Sequence, residues 1–167
     1  MKKKYIILIS LSALIVAMDQ LVKMYVHTHF QLGESAPVLQ GFFNITYVRN
    51  FGAAFGFLNQ THPQFREIFF MIMPPVALII ILMILRSVKD DDTLQIFALS
   101  SVFGGAIGNY VDRWRFKYVI DFLDFHWKEF YTYPAFNVAD MAIVSGVVVL
   151  LVLMYFEGKK SPSTDAA

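Results

Sequence analysis

A chain of 167 residues with an apolar fraction of 57% lies above the ~45–50% of soluble domains and reads as one integral membrane domain. Its 14 Lys+Arg against 13 Asp+Glu leave a net charge of +1, too little to hold a phosphate backbone, so nucleic acid is not an expected partner. The absence of cysteine excludes a disulfide framework, a thiol nucleophile and a thiolate metal site.

A hydrocarbon core of ~30 Å needs roughly 17–25 apolar helical residues, and four runs of that kind are present. The first spans about 5–26 behind Lys2, Lys3 and Lys4, its clean apolar part ending at Met18 before Asp19, Gln20 and Lys23. A basic start before an apolar run also suits a cleaved leader. No small-residue cleavage site precedes Asp19-Gln20, so a retained helix is expected. Residues 42–48 (FFNITYV) then alternate in the manner of a half-buried strand. The second span, about 68–85, carries no charge but contains Pro74-Pro75, expected to kink it. A short turn with Asp90-Asp91-Asp92 leads to the third span, about 94–111, where Gly104-x-x-x-Gly108 indicates close helix packing. Residues 118–125 (YVIDFLDF) are again rich in β-formers, and the fourth span, about 138–156, holds Asp140 as its one charge. Residues 161–167 read as a disordered tail. The expected fold is therefore a mainly α membrane protein of four transmembrane helices with a small antiparallel sheet on the outer face. Lys/Arg totals on the two sides are nearly balanced. The three lysines before the first helix place both termini in the cytoplasm, and Trp114, Trp127, Tyr131 and Tyr133 then fall at the outer interface.

Ionisable groups at membrane depth are costly, so each one is a functional candidate. In an up-down-up-down arrangement Asp19, Asn109, Asp112, Arg113, Asn137 and Asp140 all fall at the outer ends of their spans, with Asn50 and Asp121 in the outer connections. Plain structural readings stand beside the functional ones. Asp19 and Lys23, one turn apart, suit a local ion pair. Asn137-x-x-Asp140 suits a helix cap. Asp112, at a helix C-terminus, requires a cation, for which Arg113 or Lys23 is available. Asp121, between Ile120 and Phe122, has its pKa raised by desolvation, whereas Asp124 points to the other face of a strand. His27, His29, His62 and His126 lack partners at metal-ligand spacing, and no metal site or cofactor is expected. Serine and zinc hydrolase motifs are also missing. What remains is carboxylate chemistry, in which two aspartates share a proton, one accepting a proton from water while the other polarises a carbonyl. Asp140, at a helix N-terminus, is the better candidate for the more acidic partner and Asp121 for the less acidic one, the two titrating as a pair. Clustered intramembrane carboxylates also suit a small proton-coupled transporter, or a noncatalytic membrane protein in which the acids are structural pairs.

Five blocks make the chain recognisable: DQLVK at 19–23, NFGAAFGFL at 50–58, GNYVDR at 108–113, VIDFLDF at 119–125 and PAFNVAD at 134–140. In this order among four spans they resemble the lipoprotein signal peptidases, the bacterial signal peptidase II family of inner-membrane aspartic proteases. The resemblance implies Asp121 and Asp140 as a catalytic dyad. It also implies supporting or substrate-binding roles for Asn50, Gly52, Asn109, Asp112, Arg113 and Asn137, and structural roles for Asp19 and Lys23. The implied fold has four transmembrane helices, cytoplasmic termini and an outer β-cradle over a site near the periplasmic face. The implied substrates are diacylglyceryl-modified prolipoproteins cut just before the lipidated cysteine, without metal or organic cofactor, with membrane lipids as surroundings and globomycin as the family's inhibitor. Val22, where the family often has Ser or Thr, and Met141, where a small polar residue is common, are departures that bear on packing or lipid contacts. Phe55 or Phe57 is expected to help close the site.

Overall fold

The computed structural model describes residues 2–52, 62–127 and 131–160. Four helices in it are long and apolar enough to cross a membrane. They are α1 (Lys3–His29), α2 (Pro63–Ser87), α3 (Thr93–Phe116) and α4 (Val138–Lys160). Each outruns the apolar stretch that marked it, because backbone groups away from water are satisfied by continuing the helix, whatever the side chains at its ends. α2 accordingly runs through Pro74 and Pro75 as one helix that starts with Pro63 in its first turn. α3 begins where the Asp92 side chain accepts the Gln95 N–H at 3.1 Å. It ends on Lys117 in the left-handed conformation, with φ of 66°.

α3 is the hub, packed against α1, α2 and α4, and the most buried of the four. Its glycines allow this. A Cβ at Gly104 would stand 2.8 Å from the Ser12 Cα of α1, and one at Gly105 would strike the Ala139 carbonyl oxygen of α4. The expectation of close packing at these glycines therefore holds, and it extends to Gly105. Away from the sheet, Leu8, Ile81, Leu85, Val88, Ile96 and Leu99 form an apolar core. There Lys4, which the sequence groups with Lys2 and Lys3 as a flanking charge, is buried. Its Nζ donates to the Arg86 and Val88 carbonyls at 2.9 and 2.7 Å and lies 3.7 Å from Asp90. These are carbonyls at the C-terminal end of α2, which has no further turn to satisfy them.

At the other end lies an antiparallel sheet of β1 (Ser35–Leu39), β2 (Phe43–Asn50), β3 (Val119–Trp127) and β4 (Tyr131–Thr132), in the order β1-β2-β3-β4. The two expected strands are present. β1, a short edge strand containing Pro37, and the two-residue β4 carry no alternation by which to be found. A register irregularity between Ile45 and Val48 sets Val48 opposite Asp121 and Asn50 opposite Val119. β3 also pairs with the approach to α4, since the Leu123 N–H donates to the Phe136 carbonyl at 2.8 Å and Phe136 returns the bond at 3.1 Å. Beneath the sheet Val26, Tyr47, Tyr118, Ile120 and Phe122 make a second core against α1. Trp114 is exposed at this end of α3 and Tyr133 is exposed beyond β4. The tail at 161–167, together with Phe55 and Phe57, lies outside the described residues.

Candidate active site

The bond between Phe136 and β3 delivers Asn137, first residue before α4, directly under Asp121. Its Nδ2 donates to Asp121 Oδ1 at 2.7 Å and faces Asn109 Oδ1 and the Ile120 carbonyl at 3.2 and 3.3 Å. Its Oδ1 accepts the Asp140 N–H at 2.9 Å, while Asp140 Oδ2 accepts the Asn137 N–H at 3.2 Å. This reciprocal pair is a helix cap of the kind foreseen, with the shorter Asp in the place of the usual Glu or Gln. Cap and site are thus one structure, and Asn137 holds both carboxylates of the candidate dyad.

The other oxygens are also directed. Asp140 Oδ1 accepts from Asn109 Nδ2 at 2.8 Å, and Asp121 Oδ2 accepts from Asn50 Nδ2 at 3.0 Å. Asp121 is 2% exposed. That burial, followed by the charge of Asp140, pushes its carboxyl up to about 7, against the downward pull of the Asn50 and Asn137 amides. Asp124 faces away from this cluster, as strand alternation requires, beside Asn44 and His126.

Below the dyad, Lys23 Nζ lies 2.8 Å from Asp19 Oδ2 and 3.0 Å from Asp112 Oδ2 and donates to Asn109 Oδ1 at 2.9 Å. The local pair of Asp19 and Lys23 is present, and of the two cations open to Asp112 it is Lys23 that meets it. Asp19 Oδ1 accepts the Ala139 N–H at 2.9 Å, so it also anchors the first turn of α4. Asp112 Oδ2 receives the Ile120 N–H at 3.0 Å, tying α3 to β3 beside Asp121. Gln20, within the DQLVK block but assigned no role from sequence, donates to Asp112 Oδ1 at 2.8 Å and to the Gly108 carbonyl at 3.1 Å. The only sequence signal for it is a polar amide inside an apolar run. Arg113 turns elsewhere, its Nη2 donating to the Gly52 carbonyl at 2.9 Å, and the Gly52 N–H is held by Asn50 Oδ1 at 2.9 Å.

All ten candidate residues therefore fall at one end of the molecule, in a dyad layer and an ionic layer beneath it. Two carboxylates oriented by neutral amides, one of them with its pKa raised to about 7, have the chemistry that a general acid and base pair requires. Among the described residues no cluster of three His, Asp, Glu or Cys side chains is placed to hold a metal ion.

Comparison with known proteins agrees with this architecture. The family model described as signal peptidase (SPase) II matches residues 11–156. The lipoprotein signal peptidase of Syntrophus aciditrophicus is 46% identical over 160 residues, covering 96% of this chain and 99% of that protein. That of Syntrophotalea carbinolica is 46% identical over 152 residues, covering 91% and 92%. A bacterial membrane enzyme solved by the in meso method at 2.3 Å superposes with a TM-score of 0.82 at 28% identity, over 96% of this chain and 94% of that one. These matches do not favour a transporter. Four membrane-spanning helices, a sheet over one end and similarity along almost the whole length place the chain in the signal peptidase II family of membrane proteases.

Proposed function

We propose that the chain is an aspartic endopeptidase that removes signal peptides from diacylglyceryl-modified prolipoproteins just before the lipidated cysteine. The observation that carries this reading is that Asn137 holds both carboxyl groups, its side-chain Nδ2 donating to Asp121 Oδ1 and its backbone N–H to Asp140 Oδ2. Asp140, whose oxygens accept N–H bonds from Asn109 and from the α4 cap, is the ionised member and takes a proton from the attacking water. Asp121 holds its proton and donates it to the scissile carbonyl oxygen. The tetrahedral intermediate then breaks its C–N bond as the carboxyl pair returns a proton to the departing amine, and no covalent enzyme intermediate forms.

Membrane confinement supports the same substrate. A diacylated peptide is held in the plane of the bilayer, so its acyl chains can lie between helices while its amide sits at the helix ends beside the carboxylates. α2 leaves Phe65, Ile68 and Ile72 exposed at the sheet end, an apolar surface suited to such chains. The chain is placed in the bacterial inner membrane with cytoplasmic termini, the sheet and dyad at the periplasmic face, and globomycin as an inhibitor. The test is to add purified protein to a diacylglyceryl-modified precursor and follow the mobility shift. Cleavage by the native chain, blocked by globomycin and lost in Asp121→Asn and Asp140→Asn, is the expected result. Cleavage retained by both variants overturns the assignment.

A further inference from the structure

α2 has buried residues at Phe70, Ile81 and Leu85, and only Phe70 belongs to the half nearer the sheet. The other two lie ~16 Å or more further along the helix and belong to the opposite core. Among the described residues of this half, where Arg66, Phe69 and Met71 are only half-buried, Phe70 is the one buried side chain, and its ring has a local partner. That partner is Arg113, whose guanidinium carbon stands 4.5 Å from the Phe70 ring centroid. Among the described residues no carboxylate lies within ion-pair distance of Arg113, and Asp140, Asp121 and Asp112 act on its charge only from further off; its direct contacts are the ring face and the Gly52 carbonyl. One turn earlier on α2, Arg66 stacks on Phe51 at 5.4 Å, so the helix grips both Arg113 and the turn that Arg113 holds. From there the contacts continue through Gly52 to Asn50 and from Asn50 to Asp121.

We infer that Phe70 is a positioning residue for the dyad, its ring face fixing Arg113 so that the turn at 50–52 keeps Asn50 on Asp121. The inference rests on the proposed role of Asp121. It assigns α2 a part in the chemistry although, among the described residues, no α2 side chain hydrogen-bonds to either dyad carboxylate. Loss of the ring frees the guanidinium, slackens Gly52 and weakens the Asn50 amide on the carboxyl.

The test compares Phe70→Leu, which keeps apolar bulk without a ring, with Phe70→Tyr and Phe70→Trp, which keep the face. Turnover of a diacylglyceryl-modified precursor by the purified full chain is measured across pH together with melting. A desolvated cation–π contact corresponds to a kcat loss of about tenfold in Phe70→Leu, with KM little changed. The alkaline limb of the profile moves to higher pH, because Asp121 then keeps Asp140, Lys23 and Asn137 as neighbours but loses the Asn50 donor and the fixed Arg113 charge, both of which favour its charged form. Tyr and Trp restore both kcat and the limb. An unchanged kcat, an unmoved limb, or equal damage from the aromatic variants overturns the inference. If Phe70→Leu does not fold, Phe70→Met is read in its place, and failure of both to fold assigns the ring to packing and also overturns it. Asp121→Asn, run alongside, separates the two readings. Native activity in that variant sinks the dyad itself, whereas its inactivity beside an unaffected Phe70→Leu sinks only the role of Phe70.

Discussion

Asparagine at 137 neither gains nor loses a proton, so it orients two carboxyl groups without adding charge to either. Replacing one aspartate at a time by Asn keeps the shape of the site and removes a proton-transfer group. Turnover is expected to fall by about 10²-fold or more for each, the scale of general acid–base catalysis, read from precursor cleavage at equal folded protein. Stability is expected to move the opposite way in Asp121→Asn. The native Asp121 carboxyl is held up at about 7, so the unfolded chain ionises first and folding is penalised increasingly as pH rises from the usual carboxylate range to 7. Asp121→Asn should therefore melt higher than the native chain at pH 7–8, with the difference vanishing toward pH 4. A noncatalytic structural pair predicts the reverse, a variant that melts lower. On the proposed mechanism, in which Asp121 acts as the acid, the same shift puts the alkaline limb of the activity profile near neutrality.

The element that assembles the site is α3, which carries Asn109 on one turn and Asp112 and Arg113 on the next and meets every other helix. Two predictions belong here. Lys23 sits buried between Asp19 and Asp112, and Lys23→Met leaves those two carboxylates uncompensated. A cost of about 3–5 kcal/mol in thermal or denaturant unfolding is expected, larger than for any exposed ion pair. Gly105→Ala drives a methyl into the Ala139 carbonyl and to 2.8 Å from Ile143, next to Asp140. Overpacking of this kind costs about 1–3 kcal/mol, and cleavage should fall with it because α4 is displaced at its first turn. Much of this element was legible beforehand. Polar side chains interrupting apolar runs mark Asp19, Lys23, Asn109 and Asp112 by their cost alone, and strand alternation separates Asp121 from Asp124. The choice of Lys23 over Arg113 as the partner of Asp112 was not legible, because it depends on how α1 lies against α3. Nor was Asn137 as a bridge, whose geometry exists only once Phe136 pairs with β3.

On the scale of the whole molecule, α2 stands apart from the tight group of α1, α3 and α4. Besides its packing on α3 it is held at its far end by Lys4. That contact was invisible in a run of lysines that reads as a topology signal. The proposed orientation has a direct check, because the chain has no cysteine and single ones introduced at exposed positions report without background. Val38→Cys, on the edge strand β1, should react with an impermeant thiol reagent added outside intact cells, and Lys3→Cys only after permeabilisation. The opposite pattern would invert the assignment. The joining of helix cap and dyad at Asn137 and Asp140 reaches beyond catalysis. A hydrolase that lives among other membrane proteins endangers its neighbours if it works before it is finished. On the proposed mechanism, one carboxylate of the dyad belongs to the cap that starts the last helix, so the site is complete only once that helix has formed and docked under β3.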